Sequence, residues 1–221
     1  MNLKKQAGYQ AAELVKTNQI VGLGTGSTTH YFIEKLGERI KQENLEIQGI
    51  PTSYQSFQLA QKNNIPCTTL AEHDIDIAID GADEIDPEKN LIKGGGAAHT
   101  LEKIIDYSAE KLIIIADQTK EVQTLGKTPV PLEVIKESAR TVQKTLKDME
   151  ANSTIRMGVK KDGPVITDNG NFIIDAEFKE IQNPISLEKE LNTIPGVVEN
   201  GLFTEMVDQV IIGTEHGTKT Y

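Results

Sequence analysis

Apolar residues recur along this chain at two spacings. At Leu3, Ala7, Ala11 and Leu14-Val15 the spacing is helical and predicts a helix over 3–17. Ile20-Val21-Gly22-Leu23 is a short apolar run that predicts a buried strand, and GTGSTTHYFIEKLGERI reads as a glycine loop running into a helix. A second strand is expected over 46–50, ending in Pro51-Thr52-Ser53, with a helix over about 54–62. Ile75, Ile77 and Ile79 alternate and predict a third strand that closes on DGADEID. Leu91-Ile92 can end a further strand, and AAHTLEKIID beyond it has helical composition. LIIIA at 112–116 is the clearest strand of all. Strands alternating with helices predict a parallel α/β sheet with helices on both faces.

The pattern changes after Lys127. PVPLEV (129–134) reads as a strand, ESARTVQKTLKDM (137–149) as a helix, and TIRMGV (154–159) and NFIIDAEF (171–178) as two strands. SLEKELNTI (186–194) predicts a helix and VVENGLF (197–203) a strand, so the order is β-α-β-β-α-β, that of a ferredoxin-like unit. Val210-Ile211-Ile212-Gly213 predicts one more strand, able to rejoin the first sheet. The expected architecture is an open, mostly parallel, Rossmann-like sheet in a large domain of residues 1–127 plus 204–221. A small ferredoxin-like α+β domain, 128–203, is inserted into it.

Composition narrows the partners. A net charge of −10 argues against nucleic acid or an anionic membrane surface, both of which want a basic face. Cys67 is the single cysteine, which excludes an internal disulfide and a Cys-based metal site. No run reaches the roughly 18 apolar residues of a membrane span. The N-terminal stretch is amphipathic and lacks a signal-peptide core, so a cytoplasmic protein is expected.

The candidate chemistry centres on KGGGAAHTLEK, residues 93–103. Gly94, Gly95 and Gly96 let a ligand approach the backbone, and a helix starting near Ala97 would turn its amides to the same spot. With Lys93 at the strand end and Glu102 one turn into the helix, the stretch suits removal of a proton from carbon and stabilisation of the oxyanion. GLGTGSTT (22–29) is not a dinucleotide fingerprint, because Ser27 stands where the last glycine belongs. It supplies Thr25, Ser27 and Thr28 hydroxyls beside amides at a helix start, which suits a single phosphate or a sugar hydroxyl. DGADEID puts Asp80 and Asp83 at a strand end without EF-hand spacing. Lys120 follows another strand, and the four histidines form no metal spacing. Ligands of open α/β sheets bind outside the strands' carboxyl ends. The set fits a small phosphorylated polyol undergoing proton transfer without a cofactor.

TGST at 25–28, DGAD at 80–83, KGGG at 93–96 followed by Glu102, and Lys120 together resemble ribose-5-phosphate isomerases of the A type. PVPLEV, TDNGN (167–171) and PGVVENGLF (195–203) are similar to later segments of that family, so the likeness covers nearly the whole chain. The resemblance implies an aldose–ketose isomerase of the non-oxidative pentose phosphate pathway. It would interconvert D-ribose 5-phosphate and D-ribulose 5-phosphate through an enediolate, with no metal or organic cofactor. A homo-oligomer, dimer or tetramer, is also implied. By position, Glu102 would shuttle the proton between C2 and C1, Asp80 would assist ring opening, and Asp83 with Lys93 would handle charge and protons at the oxygens. Lys4, Ser27, Thr28 and Lys120 would hold the substrate, chiefly its phosphate. Thr25, Gly26, Gly81, Ala82, Gly94, Gly95 and Gly96 would complete the binding set. His99 and Leu101 depart from the family's usual apolar and arginine-like residues. On the residues alone two other readings stay open: a related sugar-phosphate enzyme, such as a deaminase or an acyl-CoA transferase, and a sugar-phosphate sensor. The complete carboxylate set favours catalysis over sensing.

Overall fold

The computed structural model describes residues 2–221. In chain order the elements begin with α1 (Leu3–Ala12), β1 (Gln19–Leu23), α2 (Ser27–Glu43), β2 (Ile47–Pro51), α3 (Tyr54–Lys62) and β3 (Ile77–Gly81). Next come β4 (Glu84–Ile85), β5 (Leu91–Ile92), α4 (His99–Tyr107), β6 (Leu112–Asp117) and β7 (Val130–Val134). The remainder are α5 (Ala139–Asp148), β8 (Asn152–Ile155), β9 (Phe172–Glu177), α6 (Pro184–Asn192), β10 (Val197–Asn200), β11 (Leu202–Phe203), β12 (Gln209–Thr214) and β13 (Gly217–Thr220). Packing divides the chain into two compact units: residues up to Ala82 with 101–120 and 206–221, and 83–100 with 121–205. The boundary expected between 127 and 128 falls inside the second unit.

The first unit is built on a six-stranded sheet in the order β13-β12-β6-β3-β1-β2. From β12 to β2 the strands are parallel, and β13 adds to β12 antiparallel. Near-continuous apolar runs such as LIII fit strands covered on both faces. Val21, Leu23, Ile77, Ile79, Ile113, Ile115 and Ile211 share one core with Ala7 and Ala11 of α1 and Phe32, Ile33 and Leu36 of α2. On the other face, a Cβ on Gly22 would sit 3.1 Å from Ile105 of α4, so that helix covers the reverse side. The helix expected over 3–17 stops at Ala12. There the Arg39 guanidinium reaches across from α2 and donates to the Ala12 and Val15 carbonyls, satisfying acceptors that a longer helix would have used itself. Ser53 caps α3 with a reciprocal Ser53–Ser56 box, and the segment after α3 returns alongside β2, Gly49 exchanging amide bonds with Pro66 and Thr68.

The second unit contains a four-stranded antiparallel sheet ordered β10-β7-β9-β8, the strand order of a ferredoxin-like β-α-β-β-α-β unit. Its core joins Val130, Leu132, Val134, Ile174 and Ala176 to Val142 and Leu146 of α5 and Leu191 of α6. Asn183 caps α6, whose first residue is Pro184. The single strand expected over 197–203 is two strands in two sheets, because β11 pairs with β5 in a three-stranded sheet β11-β5-β4. The break falls at Gly201, where a Cβ would lie 2.3 Å from the Lys93 carbonyl oxygen. That close approach lets Lys93 N–H donate to the Gly201 carbonyl at 2.9 Å.

Close approach also fixes α1 to the sheet, since a Cβ on Gly213 of β12 would stand 2.0 Å from the Leu3 carbonyl oxygen. Gly213→Ala should therefore push α1 off β12 and cost about 1–3 kcal/mol of stability, read as a lowered urea midpoint with an unchanged slope.

Candidate active site

In the first unit the candidate residues gather at the carboxyl ends of β1, β3 and β6. Asp80 ends β3 fully buried. One of its oxygens accepts the Thr25 N–H at 3.0 Å and the Gly81 N–H at 2.6 Å. A Cβ on Gly24 would lie 2.3 Å from that oxygen, so only glycine admits the carboxylate there. The Thr25 hydroxyl turns toward Thr52 and Ser53 at the end of β2, at 2.8 and 2.6 Å. Gly26, at φ +113°, precedes α2 without supplying a side-chain cap, which leaves the amides around Ser27 and Thr28 to an outside acceptor. Glu102 lies buried in the first turn of α4.

Two lysines flank the start of α2. Lys4 donates to the Ser27 hydroxyl at 2.9 Å. Both Lys4 and Lys120 act on Asp117 at the end of β6. Burial alone would raise the Asp117 carboxyl, but hydrogen bonds from the Thr119 hydroxyl and N–H outweigh it. With the charges of Lys4 and Lys120, they hold it below the usual carboxylate range. Two ammonium groups, one carboxylate and an uncapped helix start leave net positive character, suited to a phosphate.

In the second unit the KGGG loop is held as a unit. Lys93 is buried, with its ammonium 5.2 Å above the Phe203 ring. Gly94 is at φ +106°, and a Cβ there would strike Pro131 and His99 at 2.7 and 2.8 Å. Asp83 accepts the Gly95 N–H at 2.9 Å, while the Gly95 and Gly96 backbone is exposed. The Arg156 guanidinium donates to the Gly94 and Gly95 carbonyls. Helix α4 starts two residues later than the sequence suggests, because Ala97 adopts φ +61°. His99 is fully buried beneath the loop, 3.3 Å from the Glu199 carbonyl, and Leu101 is partly exposed. The two departures from the family pattern thus occupy packing and surface positions.

Sequence reasoning passed over Glu133, a buried carboxylate in β7 that accepts from four side chains. Thr100 of α4 donates at 2.6 Å, Thr167 at 2.9 Å, Asn169 at 3.0 Å and Asn171 at 2.8 Å. The TDNGN stretch is therefore a set of donors aimed at one acid. Asp117, Arg156 and Asp175 were also missed, although Asp117 directly follows the clearest strand. Among the described residues no three His, Cys, Asp or Glu side chains gather into a metal-binding group.

A family model described as ribose 5-phosphate isomerase A (phosphoriboisomerase A) matches residues 48–217. A ribose-5-phosphate isomerase A from Methanothermobacter thermautotrophicus is 57% identical, covering 99% of this chain and 97% of that relative. The solved ribose 5-phosphate isomerase A of Methanocaldococcus jannaschii superposes with a TM-score of 0.97 at 51% identity, covering 99% of this chain and 97% of that one. A solved D-ribose-5-phosphate isomerase in complex with phospho-erythronic acid gives 0.98 at 51% identity, covering 100% and 99%.

The Glu133 network carries a pH signature. Burial would raise this carboxyl, but the bonds from Thr100, Asn171, Asn169 and Thr167 outweigh it and hold it below its ordinary 4.5. The unfolded chain then takes up the proton first, so the stabilisation is complete above the ordinary carboxylate range and fades as pH falls through the lowered value. Glu133→Gln should lose about 1–3 kcal/mol near neutral pH, and denaturation curves on acidification should show the gap to the parent closing.

Proposed function

The chain belongs to the ribose 5-phosphate isomerase A family, and we propose that Glu102, Asp80, Asp83 and Lys93 perform that family's reaction in it. The reaction is an aldose–ketose isomerisation between D-ribose 5-phosphate and D-ribulose 5-phosphate, carried by proton transfer through an enediolate. One observation supports this reading most: a phosphate receptor and two buried carboxylates occur in the same unit. Lys4, Lys120 and the start of α2 would form the receptor, while Asp80 and Glu102 are the carboxylates.

Each group has a task that its surroundings suit. Glu102 takes the proton from C2 and returns it at C1, and its carboxylate in the first turn of α4 is shielded from bulk water. A positioned base of this kind contributes roughly 10²–10⁴ in rate. Asp80, fixed on one oxygen by two amides, presents its carboxylate in one orientation for opening the furanose ring. Charge grows on the substrate oxygens as the C–H bond breaks. Lys93 and the Gly96 amide would meet that charge, and Asp83 with Lys93 would pass protons between the oxygens. Thr25, Gly26, Ser27, Thr28, Gly81 and Ala82 in the first unit and Gly94 in the second would complete the binding set, with Ser27 and Thr28 bonding the phosphate. We place the enzyme in the cytoplasm as part of the same reading; among the described residues no helix is long and apolar enough to cross a membrane.

We also propose that copies of the chain associate, as a dimer or tetramer, through α4. Leu101, Ile104 and Tyr107 recur at helical spacing and are exposed to 38, 50 and 79%. Such a stripe is costly to leave in water. Ile104→Asp should shift the mass measured by light scattering toward the monomer; an unchanged mass would move the contact elsewhere.

The reaction is tested by following ribulose 5-phosphate from ribose 5-phosphate with EDTA present and no added cofactor. Parent protein should turn over, and Glu102→Gln should bind substrate with kcat lowered by about 10²-fold or more. Near-normal kcat in the variant would remove Glu102 from its role. Binding without turnover in the parent would favour a sensor.

A further inference from the structure

Arg156 follows β8 and holds one fixed position inside the second unit. Its Nε donates to one oxygen of Asp175 at 2.8 Å and its Nη2 to the other, a bidentate pair. Its Nη1 donates to the Gly94 carbonyl at 2.9 Å and the Gly95 carbonyl at 3.1 Å. A planar trans peptide points its C=O and N–H in opposite directions. With the Gly94 carbonyl on Arg156, the same peptide's N–H, that of Gly95, points away and donates to Asp83 at 2.9 Å. With the Gly95 carbonyl also on Arg156, the Gly96 N–H is turned to the side where Asp83 lies. Two successive amides directed one way favour negative charge, and Asp83 takes the first of them while the Gly96 amide lies beside it.

We infer that Arg156, oriented by Asp175, is a positioning residue of the isomerisation: through the Gly94 and Gly95 carbonyls it keeps the Gly95 amide on Asp83 and turns Asp83 and the Gly96 amide toward the enediolate oxygens. The inference rests on the isomerase reading above. Arg156 itself touches neither substrate nor reacting atoms in this scheme. Lysine cannot replace it, since a single ammonium cannot grip a carboxylate with two parallel bonds and still reach two carbonyls. Charge on the enediolate exists only in the intermediate and its flanking transition states, so the effect should fall on kcat and spare ground-state binding.

The test compares Arg156→Ala and Asp175→Asn with the parent. Three readouts are taken: kcat, KM for ribose 5-phosphate, and affinity for phospho-erythronic acid, whose carboxylate imitates the enediolate oxygens. Arg156→Ala should lose about 10–10² in kcat, with KM changed only a few-fold. Affinity for phospho-erythronic acid should fall alongside kcat, and added guanidinium ion should restore part of both. Asp175→Asn should move the same readouts in the same direction by less, and it serves if Arg156→Ala does not fold. Unchanged kcat and inhibitor affinity in a folded variant would overturn the inference, as would a rise in KM alone. If the parent itself fails to convert ribose 5-phosphate, the isomerase reading falls and the inference with it; an active parent with indifferent variants sinks the inference alone.

Discussion

The first unit depends on a carboxylate pressed against bare backbone. Asp80 sits so near Gly24 that the strand ends of β1 and β3 approach more closely than any side chain at 24 would permit. The same oxygen gathers the amides of Thr25 and Gly81, which sets the direction in which the chain leaves β1. That direction fixes Gly26 at positive φ and starts α2 without a side-chain cap. The open amides at the start of α2, and the Ser27 hydroxyl within reach of Lys4, follow from this one contact. Two amide donors on one oxygen give this deeply buried carboxyl the hydrogen bonds that burial of a polar group requires.

The second unit solves the converse problem, holding a flexible backbone with side chains. Residues 93–100 include three consecutive glycines, the residues with most conformational freedom to lose. The stretch is tethered at its start by the Lys93–Gly201 backbone bond, in its middle by Arg156, and at its end by Thr100 on Glu133. Glu133 in turn is saturated by three donors from the 167–171 turn. Tethers of this kind cost entropy on folding instead of during turnover, which is what lets aligned dipoles act without reorganising.

Much of this was legible in the amino-acid order, for reasons that differ by element. The parallel strands announce themselves through uninterrupted apolar runs, and the ferredoxin-like order follows from spacing alone. Strands β4, β5 and β11 have two residues each, too few to show a period, and β13 reads GTKT, a polar stretch with no apolar signal. The glycine-bearing loops stood out as candidates because their residue types are rare together and fall at strand ends. Arg156 and Glu133 did not, since their significance lies in partners 62 and 33 residues away. Only the fold brings those partners together. Similarity to a family suggested roles for Glu102, Asp80, Asp83 and Lys93, whereas the structure supplies what holds each of them within its own unit.

The flanks of the six-stranded sheet bear on how copies of this chain can meet. On one side β13 is short, polar and carries Lys219, and Tyr221 exchanges both backbone bonds with Val210. On the other, Pro66 and Thr68 occupy the outward groups of Gly49 in β2. Neither flank offers a long apolar ladder on which a second chain could template itself, which is how native sheets avoid amyloid-like growth. Neither edge therefore invites strand pairing between copies, and any contact between them would have to be made by side chains.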